Sequence, residues 1–157
     1  MSSCIRTQIG AGILVALAKV KVVDGYELTF GTPLQATRKG LAKTPAHLQP
    51  VVEQGDAERI DDGASLGSET WRQVWTVIVP LRPSDDDTTS WDAWLNAADS
   101  CVRKAVYADR TFGGLAINDT VCGPPADAFA ADGTWEGVAV DVTVHYRTNE
   151  DDPYAAA

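Results

Sequence analysis

The stretch GTWEGVAVDVTVHYRTNEDDPY (Gly133–Tyr154) decides the fold. From Val138 the apolar residues Val138, Val140, Val142, Val144 and Tyr146 fall at every second position, with Ala139, Asp141, Thr143, His145 and Arg147 between them. Strand side chains alternate between two faces, so this is a half-buried strand with one face in a core. Beyond it, turn-forming and charged residues gather before Pro153, which has no N–H for a ladder. The chain is therefore expected to leave the sheet there and run on as a C-terminal extension over 148–157.

Working back from that strand, Glu69–Arg82 alternates as well, with Trp71, Gln73, Trp75, Val77, Val79 and Leu81 on one side and Arg72, Val74, Thr76, Ile78 and Pro80 on the other. Both faces are largely apolar. This predicts a central strand with helices over one face and something else, a further subunit among the candidates, over the other. Asp85, Asp86 and Asp87 then lead to Thr88, Thr89 and Ser90, a helix entry with carboxylates at the positive end of the dipole. Three adjacent Asp residues point in different directions and have no further ligand at a suitable spacing, so capping, not metal binding, is their reading. A helix over Trp91–Asp109 puts Trp91, Trp94, Leu95, Ala98, Cys101, Val102, Ala105 and Val106 on one side; Arg103, Lys104 and Arg110 suit its C-terminal end, and Gly113-Gly114 stops it.

In the N-terminal half, Ile5, Ile9, Ile13, Leu17 and Val20 repeat at fours and threes, which predicts an amphipathic helix over Ser3–Val20 capped by Ser2 or Ser3. The same run imitates a secretory signal, but it has Arg6 alone as its basic region, Gly10 and Gly12 interrupt it, and it falls short of the roughly 20 residues that span a bilayer. Tyr26, Leu28 and Phe30 predict a short strand after Asp24-Gly25, and Pro50–Glu53 begins another. Gln35–Gln49, with Arg38, Lys39 and Lys43, reads as a loop whose cations are ordinary solvated charges. Gln54–Ser68, rich in Gly, Asp and Ser, reads as a long polar loop. Leu115–Cys122 is predicted as a strand, Ala126–Asp132 as a linker, and Gly133 as the start of the last strand.

At 157 residues, with 45% apolar and 22% charged residues, the chain suits one domain over 1–157 with a core of its own. Its formal charge of -9 argues against a surface that clings to nucleic acid. Cys4, Cys101 and Cys122 are odd in number and lack a CxxC spacing, so neither a disulfide framework nor a zinc site is expected. His47 and His145 stand in no catalytic motif, Gly10-Ala-Gly12 lacks a dinucleotide fingerprint, and there is no P-loop. Asn118-Asp119-Thr120 matches a glycosylation sequon, a pattern common by chance. No enzymatic activity, cofactor or metal is expected. The element order gives an α+β domain with a mostly antiparallel β-sheet and two main helices packed on one face.

The ending, with Tyr146-Arg147 closing the alternation and Asp152-Pro153-Tyr154 after it, resembles the tail-terminator (tail-completion) proteins of long-tailed bacteriophages. The Trp-rich strand and the helix after it extend that resemblance over most of the chain. It implies a structural virion protein, assembled in the host cytoplasm and placed at the head-tail junction, that caps the tail tube as a hexameric ring. Its partners would be further copies of itself, the tail tube protein and a head-completion or connector protein, with DNA passing through the lumen unbound and no membrane involved. A head-tail connector or minor tail protein would share the same assembly physics, and a small cytoplasmic binding module or an enzyme is the reading from a different class. In a ring each subunit offers two different surfaces. The 54–68 loop and the 147–154 exit are candidates to reach a neighbour, with Arg82, Arg147, Asp152 and Tyr154 as interface residues. The local alternative pairs Arg147 with Asp151 or Asp152 and lays Tyr154 over the sheet edge.

Overall fold

A computed structural model describes residues 4–37, 40, 41, 43–60, 67–117, 120–149 and 152–156, with the backbone alone for 153–156. Two helices, α1 (Ile5–Ala18) and α2 (Trp91–Ala108), pack against one face of a seven-stranded sheet. The strands are β1 (Leu34–Gln35), β2 (Val51–Ile60), β3 (Ser68–Leu81), β4 (Val121–Cys122), β5 (Ala126–Phe129), β6 (Glu136–Asn149) and β7 (Asp152–Ala156). Their main order is β1-β2-β3-β6-β4, with β5 and β7 also pairing with β6. Every pairing is antiparallel except the short one between β1 and β2. The protein is thus α+β, as its element order predicts.

The centre is the β3–β6 ladder, which runs without a slip from Ser68↔Asn149 to Leu81↔Glu136. At about 3.3 Å per residue this ribbon is roughly 45 Å long. Val138, Val140, Val142, Val144 and Tyr146 join Trp75, Val77, Val79 and Leu81 in one core cluster, and all nine are at most 2% exposed. The helices close it. Ile5, Ile9, Ile13 and Leu17 of α1 belong to this cluster, with Ala98, Cys101, Val102, Ala105 and Val106 of α2. Gly10 and Gly12 have a packing role: a Cβ on Gly10 would lie 3.1 Å from the indole nitrogen of Trp75, and one on Gly12 would lie 3.1 Å from Phe112. Glycine lets α1 sit close to the sheet at a modest cost in helix propensity.

Several expectations are corrected. Residues 54–60 are strand, not loop, because β2 continues to Ile60 and β3 begins at Ser68. Its charged side chains belong to a sheet edge: β1 pairs only with Val51 and Val52, and charge on an open edge discourages stray pairing. The ladder accommodates a bulge, with Gly55 and Asp56 standing opposite the single residue Val74. Gln73 holds it. This side chain is wholly buried, and its Nε2 lies 2.6 Å from the Gly55 carbonyl and 3.1 Å from that of Asp56.

The chain also stays in the sheet after Thr148. It turns back as β7, pairing Asn149 with Asp152 and Thr148 with Ala156 around an irregularity. Pro153 is tolerated because β7 lies at an edge and Pro153 falls between the two regular pairs. Residues 126–129 are a strand rather than a linker, and the following turn, closed by Gly133 at φ +71°, delays β6 until Glu136. Tyr26, Leu28 and Phe30 do pack on the core but form no strand, since the Phe30 N–H donates to Val20 and that of Gly31 to Leu48. Among the described residues of the predicted strand over 115–122, Val121–Cys122 is ladder, and the Ile117 N–H donates to the His145 carbonyl at 2.8 Å.

Helix ends differ too. Cys4, not Ser2 or Ser3, occupies the α1 N-cap, and the two serines lie outside the described residues, as do Arg38, Lys39, Asn118 and Asp119. Ser90 caps α2 by accepting from the Ala93 N–H at 3.2 Å. Asp109, which accepts from the Thr111 and Gly113 amides, ends α2 before the glycine pair. The cations near that end serve other ends: Arg103 pairs with Asp99 and donates to the Cys122 and Gly123 carbonyls, while Lys104 donates to Gly25 and lies over the Tyr26 ring.

Gly137 is the tightest point of the sheet. A Cβ there would stand 2.1 Å from the Val79 carbonyl oxygen and 2.9 Å from the Pro80 Cα, both backbone atoms. Gly137→Ala is expected to destabilise the fold by about 3 kcal/mol, because the overlap moves only if the central ladder moves. Urea denaturation of the variant beside the parent chain measures this; an unchanged midpoint would contradict the close approach.

Candidate interaction surfaces

The sheet face turned away from the helices carries the alternate residues of each strand. In β3 these are Thr70, Arg72, Val74, Thr76, Ile78 and Pro80, opposite Arg147, His145, Thr143, Asp141, Ala139 and Gly137 of β6. None of them belongs to the helix-covered core cluster. Val51 and Ile78, a cross-strand pair on this face, are nevertheless buried, while Val74, Thr76, Ala139, Thr143 and His145 are half-buried. Polar contacts knit the surface: Thr76 Oγ1 donates to Asp141 Oδ1 at 2.7 Å, and Arg72 pairs with Glu58. The face is mixed in polarity and partly dry, which suits contact with another protein.

The four residues expected at an interface do not meet. Arg147 stands near the Ser68–Asn149 end of the ribbon, paired in register with Thr70, and its Nε lies 3.3 Å from Thr70 Oγ1. Asp152 faces Asn149 at the same end, and Tyr154 is carried by β7 beside it. Arg82 follows Leu81 at the opposite end, so roughly 35 Å of strand separates it from Arg147. Arg147, Asp152 and β7 therefore mark one rim of the molecule, and Arg82 marks the other.

At the Arg82 rim the backbone, not the guanidinium, makes the defined contact. The Arg82 N–H donates to His47 Nδ1 at 2.8 Å, and the imidazole stands edge-on to Trp94, with ring centroids 5.2 Å apart. Burial pushes the His47 pKa below its ordinary value, partly opposed by the nearby Asp87 carboxylate. Asp87 is itself held acidic by the Thr89 N–H, which donates to it at 2.7 Å. A neutral His47 pins the strand exit to the start of α2, a role that its loop position did not announce.

At the other rim lies a cavity of about 280 Å³ bounded by Cys4, Arg6, Glu69, Trp71, Tyr146, Thr148 and Asn149. The Cys4 thiol is more acidic than usual, chiefly because the Thr7 hydroxyl, 3.2 Å away, stabilises its thiolate, with Arg6 adding a smaller attraction. Burial raises the thiol pKa of Cys101 and Cys122 instead, which leaves them as small apolar side chains. Sequence reasoning missed this cavity, since residues from α1, β3 and β6 meet there only in three dimensions. Among the described residues no His, Cys, Asp and Glu side chains cluster in a way that would hold a metal ion, and no helix is long and apolar enough to cross a membrane.

No protein-family model matches the chain, and no curated protein does so either.

The His47 contact has a pH signature. The folded protein holds this histidine neutral, whereas the unfolded chain protonates near 6.5. Its contribution is therefore full above about pH 6.5 and is lost as the pH falls through the lower folded value. Chemical denaturation between pH 8 and 5 is expected to show this loss, and His47→Asn, whose amide oxygen can accept the Arg82 N–H without titrating, is expected to remove that component. Parallel pH profiles for the two proteins would contradict the assignment.

Proposed function

We propose that this protein is a structural subunit of a phage tail, a tail terminator that closes the tail tube as a homo-oligomeric, hexameric ring and offers the surface on which the head is joined. The observation that carries the reading is the second sheet face. An α+β layer normally buries one face and exposes polar groups on the other, yet here the half-buried Val74 and Ala139 lie on the face that no helix among the described residues covers. Such a surface is suited to a neighbour. The open edge of β2 and the rim formed by Arg147, Asp152 and β7 offer two dissimilar patches, as a head-to-tail ring requires. The net charge of -9 agrees with a lumen through which DNA slides without adhering.

On this reading the mechanism is geometric. The ring stops tube growth by presenting, on its far side, a surface that the next tube subunit does not fit, and no residue performs chemistry. The protein acts in the virion at the head-tail junction after assembly in the host cytoplasm.

Light scattering across a concentration series, with and without purified tail tubes, tests the proposal. A discrete hexamer, or a monomer that forms rings on tube ends, is the expected result. Ala139→Arg, on the face that no helix among the described residues covers, is expected to abolish assembly; because Ala139 is half-buried, circular dichroism and the thermal midpoint of the variant are read beside the parent to show that the single chain still folds. A chain that stays monomeric at every concentration and ignores tubes would overturn the reading.

A further inference from the structure

We propose that the groove between α2 and β5 is a docking site for an extended, basic segment of another protein, which pairs with the free edge of β5 and sets apolar side chains between Trp91 and Phe129. The groove encloses about 380 Å³ and is bounded by Leu95 and Asn96 of α2, by Pro125, Ala126 and Asp127, and by Val138 of β6. It opens because β5 pairs only with β6, so its outer edge meets no further strand among the described residues. An added strand would find unpaired backbone donors and acceptors there, and every second side chain would point toward α2.

Two aromatic side chains flank this opening. Trp91 lies one helical turn before Leu95, on the same side of α2, and is 38% exposed. Phe129 lies two residues after Asp127, on the same side of β5, and is 72% exposed. The ladder brings the two elements together. Arg103 reaches the Gly123 carbonyl, opposite Asp141, while Leu95 bounds the same groove as Val138, so α2 runs toward lower numbers of β6 as it is followed back to its start. Continuing by one turn brings Trp91 to the level of Glu136, whose ladder partner is Phe129. Large, rigid and exposed aromatics beside an apolar groove are the usual anchors of a protein contact.

Charge selects the occupant. Asp127 lines the groove, Glu136 is the ladder partner of Phe129, and Asp92 and Asp132 follow on α2 and on the turn after β5; all four are exposed, and none is in an ion pair among the described residues. Asp132 is kept ionised by the Thr134 hydroxyl and amide. Arg82, next to the Leu81–Glu136 pair, is the nearest cation along these strands. Lys and Arg side chains alternating with apolar ones would therefore meet carboxylates on one side and the aromatic pair on the other, with cation-π attraction added. A second copy of this chain brings its own net charge of -9, and nucleic acid brings phosphates; both are repelled. The inference does not depend on the ring reading.

The test titrates the full chain into a fluorescein-labelled synthetic peptide that alternates valine with lysine, followed by anisotropy at low and high salt. Two controls accompany it: the same peptide with glutamate for lysine, and a version with proline replacing alternate residues, which removes ladder N–H groups. Saturable binding of the valine-lysine peptide is expected, weakened by salt, absent for the glutamate peptide and at least tenfold weaker for the proline one. Trp91→Ala and Phe129→Ala are each expected to weaken it by roughly tenfold, with unchanged circular dichroism because both side chains are exposed. No saturable binding, equal binding of the glutamate peptide, or binding indifferent to both substitutions would overturn the proposal. So would competition by a DNA duplex, or sedimentation showing that the chain self-associates in a manner abolished by Phe129→Ala. A failed peptide titration beside intact ring formation on tail tubes would remove the groove and leave the tail reading standing.

Discussion

Everything in this molecule hangs on the fourteen residue pairs that join β3 to β6. An antiparallel ladder of that length fixes which side chains face the helices, because a slip of one residue would turn Val140, Val142 and Val144 out of the core and put Asp141 and Thr143 in. The close approach at Gly137 and the Thr76–Asp141 hydrogen bond mark the same register from two places along it. Both helices read that surface: α1 rests on Trp75 through Gly10, and α2 lies along β6 with Arg103 tied to the strand connection. The short strands β4, β5 and β7 occupy separate stretches of the other side of β6, so a single strand pairs with four others.

What the sequence disclosed is what alternation or helical spacing can disclose. Val138–Tyr146 and the Ile5-Ile9-Ile13-Leu17 stripe each have one buried side and one wetter side, a contrast visible in composition, while Trp71–Leu81 is legible as a long β-branched and aromatic run. Residues 54–60 lacked it, since this edge strand mixes Gln54, Gly55, Asp56, Glu58 and Arg59 with little apolar alternation and so resembles a loop. Tyr26, Leu28 and Phe30 erred in the opposite direction: the alternation reports real packing, but no neighbouring strand lies within reach to make a ladder. Ala126–Phe129 was too short to show a period at all. Gln73, read as one more member of an apolar face, turns out to be the donor that a bulge on the next strand requires.

The surfaces were less legible than the fold. Arg82, Arg147, Asp152 and Tyr154 were chosen near two breaks in the pattern, and those breaks proved to be opposite ends of one ribbon. The cavity beside Cys4 and the groove beside Trp91 and Phe129 both depend on elements far apart in sequence. Neither aromatic is marked in the sequence: Trp91 reads as part of the apolar side of α2, and Phe129 falls within a predicted linker.

The ladder partners Thr76 and Asp141 are 65 residues apart along the chain. Closing a loop of that size costs chain entropy before any of the fourteen pairs can repay it, so folding is expected to be slow for a domain of this size. Because β6 follows α1 and the β2–β3 hairpin in the chain, these earlier elements must wait for it with their apolar faces uncovered. In the cell this chain spends its vulnerable interval early, as a nascent polypeptide in need of shielding, and the arrival of β6 completes the core.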